Sequence, residues 1–181
     1  SASPIMAWVL PPTSMMAAQA AFPPTEPGTI EVKILPAGRL IMSESEGSYF
    51  ERSNNLFGPL FRYIRSNGIA MTTPVEARIE PARMYFWVSR EQAQKAGSDA
   101  NGVTVLDLPA RRVAAIGGRG AYNKGNFQEA RTLLREWLAR QPGLRPVGEP
   151  FAVYWHGPMT PWFMKAFEVQ VEVAEHPAEE E

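Results

Sequence analysis

The chain has 181 residues, with 18 Lys and Arg against 19 Asp and Glu, two His and no Cys, so its formal net charge is −1. This balance argues against non-specific nucleic-acid binding, which needs a basic surface, and the lack of cysteine excludes disulfides, thiolate nucleophiles, iron–sulfur clusters and sulfur-ligated zinc. With 45% hydrophobic residues, the chain can bury a sizeable core, and we expect a single domain.

The two ends of the chain differ in composition from the middle. The first 25 residues contain no Asp, Glu, Lys or Arg and are rich in proline, so residues 1–28 are predicted to form an arm outside the core. The run 14–20 resembles a signal-peptide cleavage region without its basic start, which leaves cytoplasm and periplasm both open. No transmembrane helix is expected. Residues 174–181 are predicted to be an acidic tail.

An internal repeat organises the region between the ends. The run Leu-Pro-Ala at 35–37 recurs at 108–110, and Gly-Ser-Tyr at 47–49 recurs as Gly-Ala-Tyr at 120–122. Both pairs share one offset (108 − 35 = 73). We therefore predict a single domain over 29–173 that is built from two pseudo-repeats, at about 29–100 and 102–173.

The first repeat begins with alternating apolar residues at Ile30, Val32 and Ile34, which predict a half-buried strand. A second strand is predicted over 39–46. Apolar residues from 50 to 64 then follow helical spacing, and Asn67 with Gly68 marks the end of this helix. Because an interior proline removes a backbone hydrogen bond and clashes with the preceding turn, Pro59 predicts a kink or a break.

Further strands complete both repeats. Alternation predicts strands at 75–80 and 84–88, and the second repeat is predicted to contain strands at 103–108, 113–118, 151–155 and 167–173 with a helix over about 127–141. The predicted fold is α+β. It consists of pseudo-twofold duplicated βαββ units, in which an antiparallel sheet carries two long helices on one side.

Strand alternation also assigns side chains to the two faces of the sheet. If Phe86, Val88, Phe167, Val169 and Val171 point at the helices, the opposite face carries Glu76, Arg78, Tyr85, Trp87, Glu168 and Gln170. Aromatic rings, carboxylates and an arginine on one face are typical of a cleft floor. They are equally typical of an ordinary solvated sheet face, and the pattern alone does not choose.

Two segments resemble a known family. The run Gly-Ile-Ala-Met-Thr-Thr-Pro-Val at 68–75 resembles the signature of the SOUL haem-binding family, and Thr-Pro-Trp-Phe-Met-Lys-Ala-Phe-Glu-Val at 160–169 is similar to its second motif. Residues 47–49 and 61–64 match as well. The chain departs from the family where Lys-Ala-Phe at 165–167 replaces Arg-Arg-Asn, and its turn after Tyr154 is one residue longer.

The resemblance implies both a fold and a function. The fold is the one shared with gyrase-inhibitor-like effector-binding domains. Haem or another tetrapyrrole would be held without a covalent bond in an apolar groove beside the first helix, for transport, buffering or sensing. The matching positions are Leu56, Phe57, Leu60, Phe61 and Met71, with Arg52 and Arg62 for the propionates and His156 as a candidate axial ligand of the iron. Alternatively, the apolar residues belong to the core and His156 is an exposed loop residue.

A second interpretation places function on the sheet face. There Glu168 would receive an amphipathic or cationic small molecule among Tyr85, Trp87 and Tyr154, in a gyrase-inhibitor-like binding or hydrolytic domain. No catalytic residue is assigned, and binding is favoured over catalysis. In a third interpretation the apolar arm, with Trp8, Met15, Met16 and Phe22, docks onto a partner or onto the chain itself. The physiological ligand and the oligomeric state stay open.

Overall fold

The computed structural model describes residues 19–176. The strands of this region are β1 (Gln19–Ala20), β2 (Ile30–Leu35), β3 (Gly38–Ser45), β4 (Thr72–Thr73), β5 (Val75–Arg78), β6 (Ala82–Val88), β7 (Thr104–Leu108), β8 (Arg111–Arg119), β9 (Leu144–Pro146), β10 (Phe151–Tyr154) and β11 (Ala166–Glu175). The α-helices are α1 (Tyr49–Ser66) and α2 (Lys124–Ala139), and Arg90–Lys95 and Trp162–Met164 form short 3-10 helices. The predicted α+β class is confirmed.

The main sheet is antiparallel and connects the two repeats. Its strand order is β2-β8-β11-β10-β5-β6-β3-β7, with β9 paired to the end of β11. The first strand of each repeat lies against the other repeat, because β2 pairs with β8 and β7 pairs with β3. A separate parallel pair joins β1 to β4, so residues 19–20 lie beside the Thr-Thr of the 68–75 motif.

Helix α1 is amphipathic and buries one side against the sheet. Its buried residues are Tyr49, Leu56, Leu60, Tyr63 and Ile64. The helix is continuous through Pro59, so it is not broken there, and the kink, the other outcome expected from the sequence, stays a prediction. The helix ends as expected at Asn67, which is followed by Gly68 at φ +65°, a left-handed conformation that glycine adopts without a steric penalty.

Helix α2 occupies the equivalent place in the second repeat. The Asn123 side chain caps it by accepting a hydrogen bond from the Asn126 N–H at 2.8 Å. Its buried residues are Phe127, Ala130, Leu134 and Leu138. Both helices pack on the same core cluster, which also contains Phe86, Val88, Phe167, Val169 and Val171 from the sheet. The predicted orientation of these five side chains is confirmed.

The opposite face of the sheet, called the inner face below, encloses a second core. Its apolar residues are Phe22, Leu35, Leu40, Met42, Tyr85, Trp87, Val113, Phe151 and Val153. The predicted polar residues Glu76, Glu168 and Gln170 do lie among the buried groups. This face is therefore neither the solvated surface nor the open cleft floor that the sequence left as alternatives.

The ends of the described region correct two sequence expectations. Phe22 is 6% exposed and Thr25 is 3% exposed, so part of the predicted arm belongs to the core; residues 1–18, including Trp8, Met15 and Met16, lie outside the described residues. The predicted acidic tail begins as strand, because Ala174 and Glu175 pair with β9. Among residues 19–176, no helix is long and apolar enough to span a membrane.

Candidate functional site

Two phenylalanines of α1 are exposed side by side. Phe57 is 41% exposed and Phe61 is 40% exposed, and their rings are stacked with centroids 5.5 Å apart and planes inclined by 20°. The Phe57 ring also touches the buried Phe86 of β6 edge-on, with centroids 5.9 Å apart. The two residues, called the α1 aromatic pair below, thus present an apolar surface that is supported from beneath by the core.

Three arginines of α1 lie around this surface in different places. The Arg65 guanidinium lies over the Phe61 ring, 5.7 Å from its centroid. Arg62 lies along the helix at Gly58, where an added Cβ would be 3.2 Å from Arg62 Nη1. Arg52 instead folds back toward Gly47 at the start of the helix. Of these three arginines, Arg65 therefore contacts the α1 aromatic pair, and the predicted role of Arg52 and Arg62 toward propionates stays a prediction.

The other apolar residues predicted for a groove are in two different environments. Leu56 and Leu60 are 1% and 0% exposed, so they contribute to the core and leave no surface for a ligand. Met71 lies after the helix at the edge of a shallow depression that Ala70, Thr72, Ser89 and Gln92 also line. The sequence therefore grouped residues that the fold separates into core, α1 surface and depression.

His156 lies in the loop between β10 and β11 and is exposed. Its Nδ1 accepts a hydrogen bond from the Ala166 N–H at 3.0 Å, and its backbone N–H donates to the Tyr122 hydroxyl at 3.0 Å. Both partners belong to the second repeat rather than to α1. In the described part of the chain no three His, Cys, Asp or Glu side chains cluster in a way that would hold a metal ion.

Glu168 is fully buried on the inner face, and four donors surround its carboxylate. The Lys33 ammonium lies 2.8 Å away, the Trp155 indole N–H donates at 2.7 Å, and the Thr25 backbone N–H donates at 3.0 Å. The Gln170 amide adds a fourth bond at 2.8 Å. Because Thr25 and Lys33 from one segment and Trp155 and Gln170 from β10–β11 supply all these partners, the chain itself neutralises and encloses the carboxylate.

Tyr154 does not share the face of Glu168, which corrects the grouping predicted from the sequence. Along β10, Phe151 and Val153 lie in the inner-face core, whereas Tyr154 lies in the core beneath the helices. Its ring contacts Tyr49 at 6.0 Å and stacks on Tyr122 at 4.2 Å between centroids. Burial raises the pKa of all three phenols, that of Tyr122 to about 12.

A second buried carboxylate on the inner face is also paired. Glu76 accepts two hydrogen bonds from Arg111, at 3.0 and 3.2 Å, and two from Arg78, at 3.1 and 3.3 Å. The Arg78 guanidinium also covers the Phe151 ring at 3.9 Å. With Lys33 beside Glu168, the two carboxylates face three cations. These two buried carboxylates are therefore already paired within the chain and are not available to a cationic ligand.

A cleft of about 620 Å³ opens next to this face, at the end where Trp87 lies. It is lined by Gln19, Ala20, Ala21, Pro36, Ala37, Gly38, Arg39, Thr72, Trp87, Val88, Ser89, Arg90, Ala93, Gln94, Asp107 and Leu108. Gly38 is required there, because an added Cβ would be 2.9 Å from Trp87 Cζ3. The volume is within the usual range for small-molecule sites.

An ion pair fixes one wall of the cleft. Arg39 forms a bidentate pair with Asp107 at 2.8 and 2.9 Å, which lowers the pKa of that carboxyl, and its remaining Nη1 donates to the carbonyls of Ala93 and Ala96. The 3-10 helix is thereby tied to β3 and β7. Arg90 is exposed and has no ion-pair partner among residues 19–176, so it is the cation that remains available to a ligand.

The sequence predicted only Trp87 of the residues that line the cleft. The others come from five separate segments, within 19–21, 36–39, 72, 88–94 and 107–108, and no periodicity in these segments points toward a shared cleft. The repeat itself contains one signal. The residue after the matching Leu-Pro-Ala runs is Gly38 in the first repeat and Arg111 in the second. A glycine after that turn indicates close approach by another group.

Comparisons with known proteins identify the family and the fold. The model of a family described as SOUL heme-binding protein matches residues 5–172, whereas no curated protein sequence matches. The EcmrR C-terminal domain is similar in structure, with a TM-score of 0.65 at 15% identity over 82% of this chain and 98% of that one. A hydrolase from Listeria innocua has a TM-score of 0.53 at 11% identity, over 83% and 94%.

Proposed function

Since the chain belongs to the SOUL heme-binding protein family, we propose that it binds haem or another tetrapyrrole without a covalent bond, on the α1 aromatic pair. The observation that supports this proposal is the exposure of two stacked phenylalanines, Phe57 and Phe61, on an otherwise amphipathic helix. Large aromatic side chains at about 40% exposure leave apolar area in water. A flat macrocycle would remove that area from water.

The residues around the pair fit the two kinds of surface on a tetrapyrrole. The phenylalanine rings suit the apolar macrocycle, and Arg65, with Arg62 one turn away, suits the carboxylates of the propionates. A bound haem would supply the colour and the redox chemistry of its iron. The described contacts of His156 lie with Tyr122 and Ala166, so we expect the affinity to come from apolar contact and charge rather than from His156.

Absorbance titration with hemin tests this proposal. We expect a saturable shift of the Soret band near one equivalent for the native chain and a loss of affinity of at least about tenfold for Phe57→Ser with Phe61→Ser. Leu133→Ser is the matched control, because Leu133 is 47% exposed on α2. Equal binding by the double variant and the control would move the site away from α1, and no saturable binding by the native chain would refute the function.

The same titration decides the role of His156. We expect His156→Ala to keep both the position of the Soret band and the affinity. A shifted band, with or without a loss of affinity, would instead identify His156 as an iron ligand. Arg65→Gln should weaken binding of hemin and leave the binding of an uncharged porphyrin without propionates unchanged, since the guanidinium acts on the carboxylates.

The cleft beside Trp87 supports a second candidate function, the binding of a small apolar molecule that carries one negative charge. Eight of its sixteen lining residues are Ala, Pro, Val, Leu or Trp, and Arg90 supplies the free cation. We expect Ala37→Trp, which adds a ring to an exposed position of the cleft wall, to abolish binding of anilinonaphthalene sulfonate there. Ala110→Trp is the control, because Ala110 is the exposed counterpart of Ala37 in the second repeat. Equal fluorescence from both variants would exclude the cleft.

A further inference from the structure

The loop between β10 and β11 carries a concentration of exposed apolar side chains. Met159 is 93% exposed, Trp162 66%, Phe163 56% and Met164 54%. These four residues, called the apolar tip below, lie within six positions of one another. Large apolar side chains exposed together are uncommon on a soluble surface, and they indicate an interaction site.

The apolar tip is held in a defined conformation. Two successive turns close it, with the Thr160 N–H donating to the Gly157 carbonyl at 3.1 Å and the Met164 N–H donating to the Pro161 carbonyl at 2.9 Å. The Trp162 and Phe163 rings meet edge to face at 5.7 Å between centroids. Because the loop is already ordered, binding through its aromatic rings costs less conformational entropy than binding through a disordered loop.

Basic residues surround the base of the tip. Lys165 follows it directly, and the Lys165 carbonyl accepts a hydrogen bond from the Gly120 N–H at 2.9 Å, next to Arg119 in β8. Lys124 begins α2 nearby, after Tyr122, whose hydroxyl bonds the Ala166 carbonyl. Segments 108–128 and 150–167 contain no acidic residue. Among the segments that meet at this end, only the backbone of Glu26 beside Gly117 brings in an acidic residue, against the three cations Arg119, Lys124 and Lys165.

We propose that the apolar tip inserts into the interface of a membrane whose surface is anionic. Tryptophan and phenylalanine partition into the boundary between headgroups and acyl chains, where apolar rings and polar groups are both accommodated. Arg119, Lys124 and Lys165 would lie at the level of the lipid phosphates and attract them. Each of the four side chains is more than half exposed, and none of them lines the cleft or the depression described above. Such exposure suits a fluid interface better than a helix or a peptide that would need a groove.

Vesicle sedimentation without added ligand tests the proposal. We expect the native chain to bind vesicles of phosphatidylcholine with about 30% phosphatidylserine, and to bind pure phosphatidylcholine at least about tenfold more weakly. Trp162→Ser with Phe163→Ser should reduce binding to the anionic vesicles by at least about tenfold. Ile34→Ser is the matched control, because Ile34 is 68% exposed and lies on β2, and it should leave binding unchanged.

A second variant isolates the electrostatic contribution. Lys124→Gln with Arg119→Gln should weaken binding to anionic vesicles and reduce its dependence on salt. Failure of the native chain to sediment with either vesicle, or equal binding by the tip variant, would overturn the proposal. The proposal would also be overturned if the native chain bound no vesicles but formed a dimer that the tip variant did not form. The apolar tip would then be a contact between two copies of the chain. None of these outcomes depends on tetrapyrrole binding, so the two proposals fail separately.

Discussion

Tyr122 stacks on Tyr154 with ring centroids 4.2 Å apart, yet the two phenols differ in their hydrogen bonds. The Tyr122 hydroxyl donates to the Ala166 carbonyl at 2.6 Å and accepts from the His156 N–H at 3.0 Å. The Tyr154 hydroxyl is buried without a partner in the region 19–176. Two neighbouring residues of one type are therefore expected to respond in opposite ways to the same substitution.

Tyr154→Phe should leave the free energy of unfolding unchanged or raise it by up to about 1 kcal/mol, because it removes a buried hydroxyl that has no partner. Tyr122→Phe should lower it by about 1–2 kcal/mol, because two hydrogen bonds are lost and their partners stay in place. Urea unfolding of the two variants gives the comparison. A destabilised Tyr154→Phe protein would show that its hydroxyl has a partner after all.

Alkaline pH should destabilise the folded chain through the same tyrosines. Burial raises the pKa of Tyr122 from its ordinary value of 10.0 to about 12, and also raises those of Tyr49 and Tyr154. Between pH 10 and 12 the folded state then binds more protons than the unfolded state, so this stability is fully present below pH 10 and declines as pH rises. Urea midpoints at pH 9, 10 and 11 measure the decline. The decline of the urea midpoint with pH should be shallower in Tyr154→Phe than in the native protein. Equal declines would contradict a contribution of Tyr154 to the alkaline loss of stability.

Breaking the buried pair of Glu76 and Arg111 should lower the free energy of unfolding far more than breaking a surface pair. Arg111→Met leaves the Glu76 carboxylate, 2% exposed, with Arg78 as its remaining cation, and should cost about 3 kcal/mol. Arg112→Met, at the adjacent residue, breaks a pair with the 77% exposed Glu175 and should cost less than about 1 kcal/mol. Chemical denaturation of both variants measures the difference. Similar losses would mean that Glu76 is adequately neutralised by Arg78.

Phe22 should behave as a core residue despite its place in a proline-rich segment. Its ring contacts Trp155 at 5.3 Å and Trp87 at 6.0 Å between centroids, and the Lys33 ammonium lies 4.9 Å from its centre. Phe22→Ala should lower the free energy of unfolding by about 3–5 kcal/mol. Pro24→Ala, at an exposed position of the same segment, should change it little. If both variants unfolded alike, the segment would be an arm as its composition suggests.

The sequence predicted the regular elements because their burial is periodic. Alternation along β6 and β11 assigned both faces of the sheet correctly, and helical spacing located α1 and α2 within about three residues. Composition misled at residues 19–28, where few charges and many prolines indicated an arm. The packing of Phe22 against Trp155, and the Thr25 N–H bound to Glu168, depend on residues about 130 to 143 positions away. No local pattern predicts them.

The predicted binding residues show where helical spacing stops being informative. Leu56, Phe57, Leu60 and Phe61 follow one another on an amphipathic helix, but successive residues differ by about 100° around the axis. The leucines therefore point into the core and the phenylalanines toward its margin. Whether a large ring at the margin is covered depends on what the neighbouring element supplies, and the sequence of α1 carries no information on that.

The exchange of first strands between the repeats makes the two copies inseparable. A fragment ending near residue 100 would retain β2 without β8, and its β3 would lack β7, so each fragment would expose unpaired strand edges and a strand with no neighbour. The intact chain thus has the connectivity of a strand-swapped dimer joined by a linker. If the chain were cut between β6 and β7, the two fragments would fold only by reassociating. A substitution in a paired strand of one repeat would likewise alter a strand edge with which the other repeat pairs.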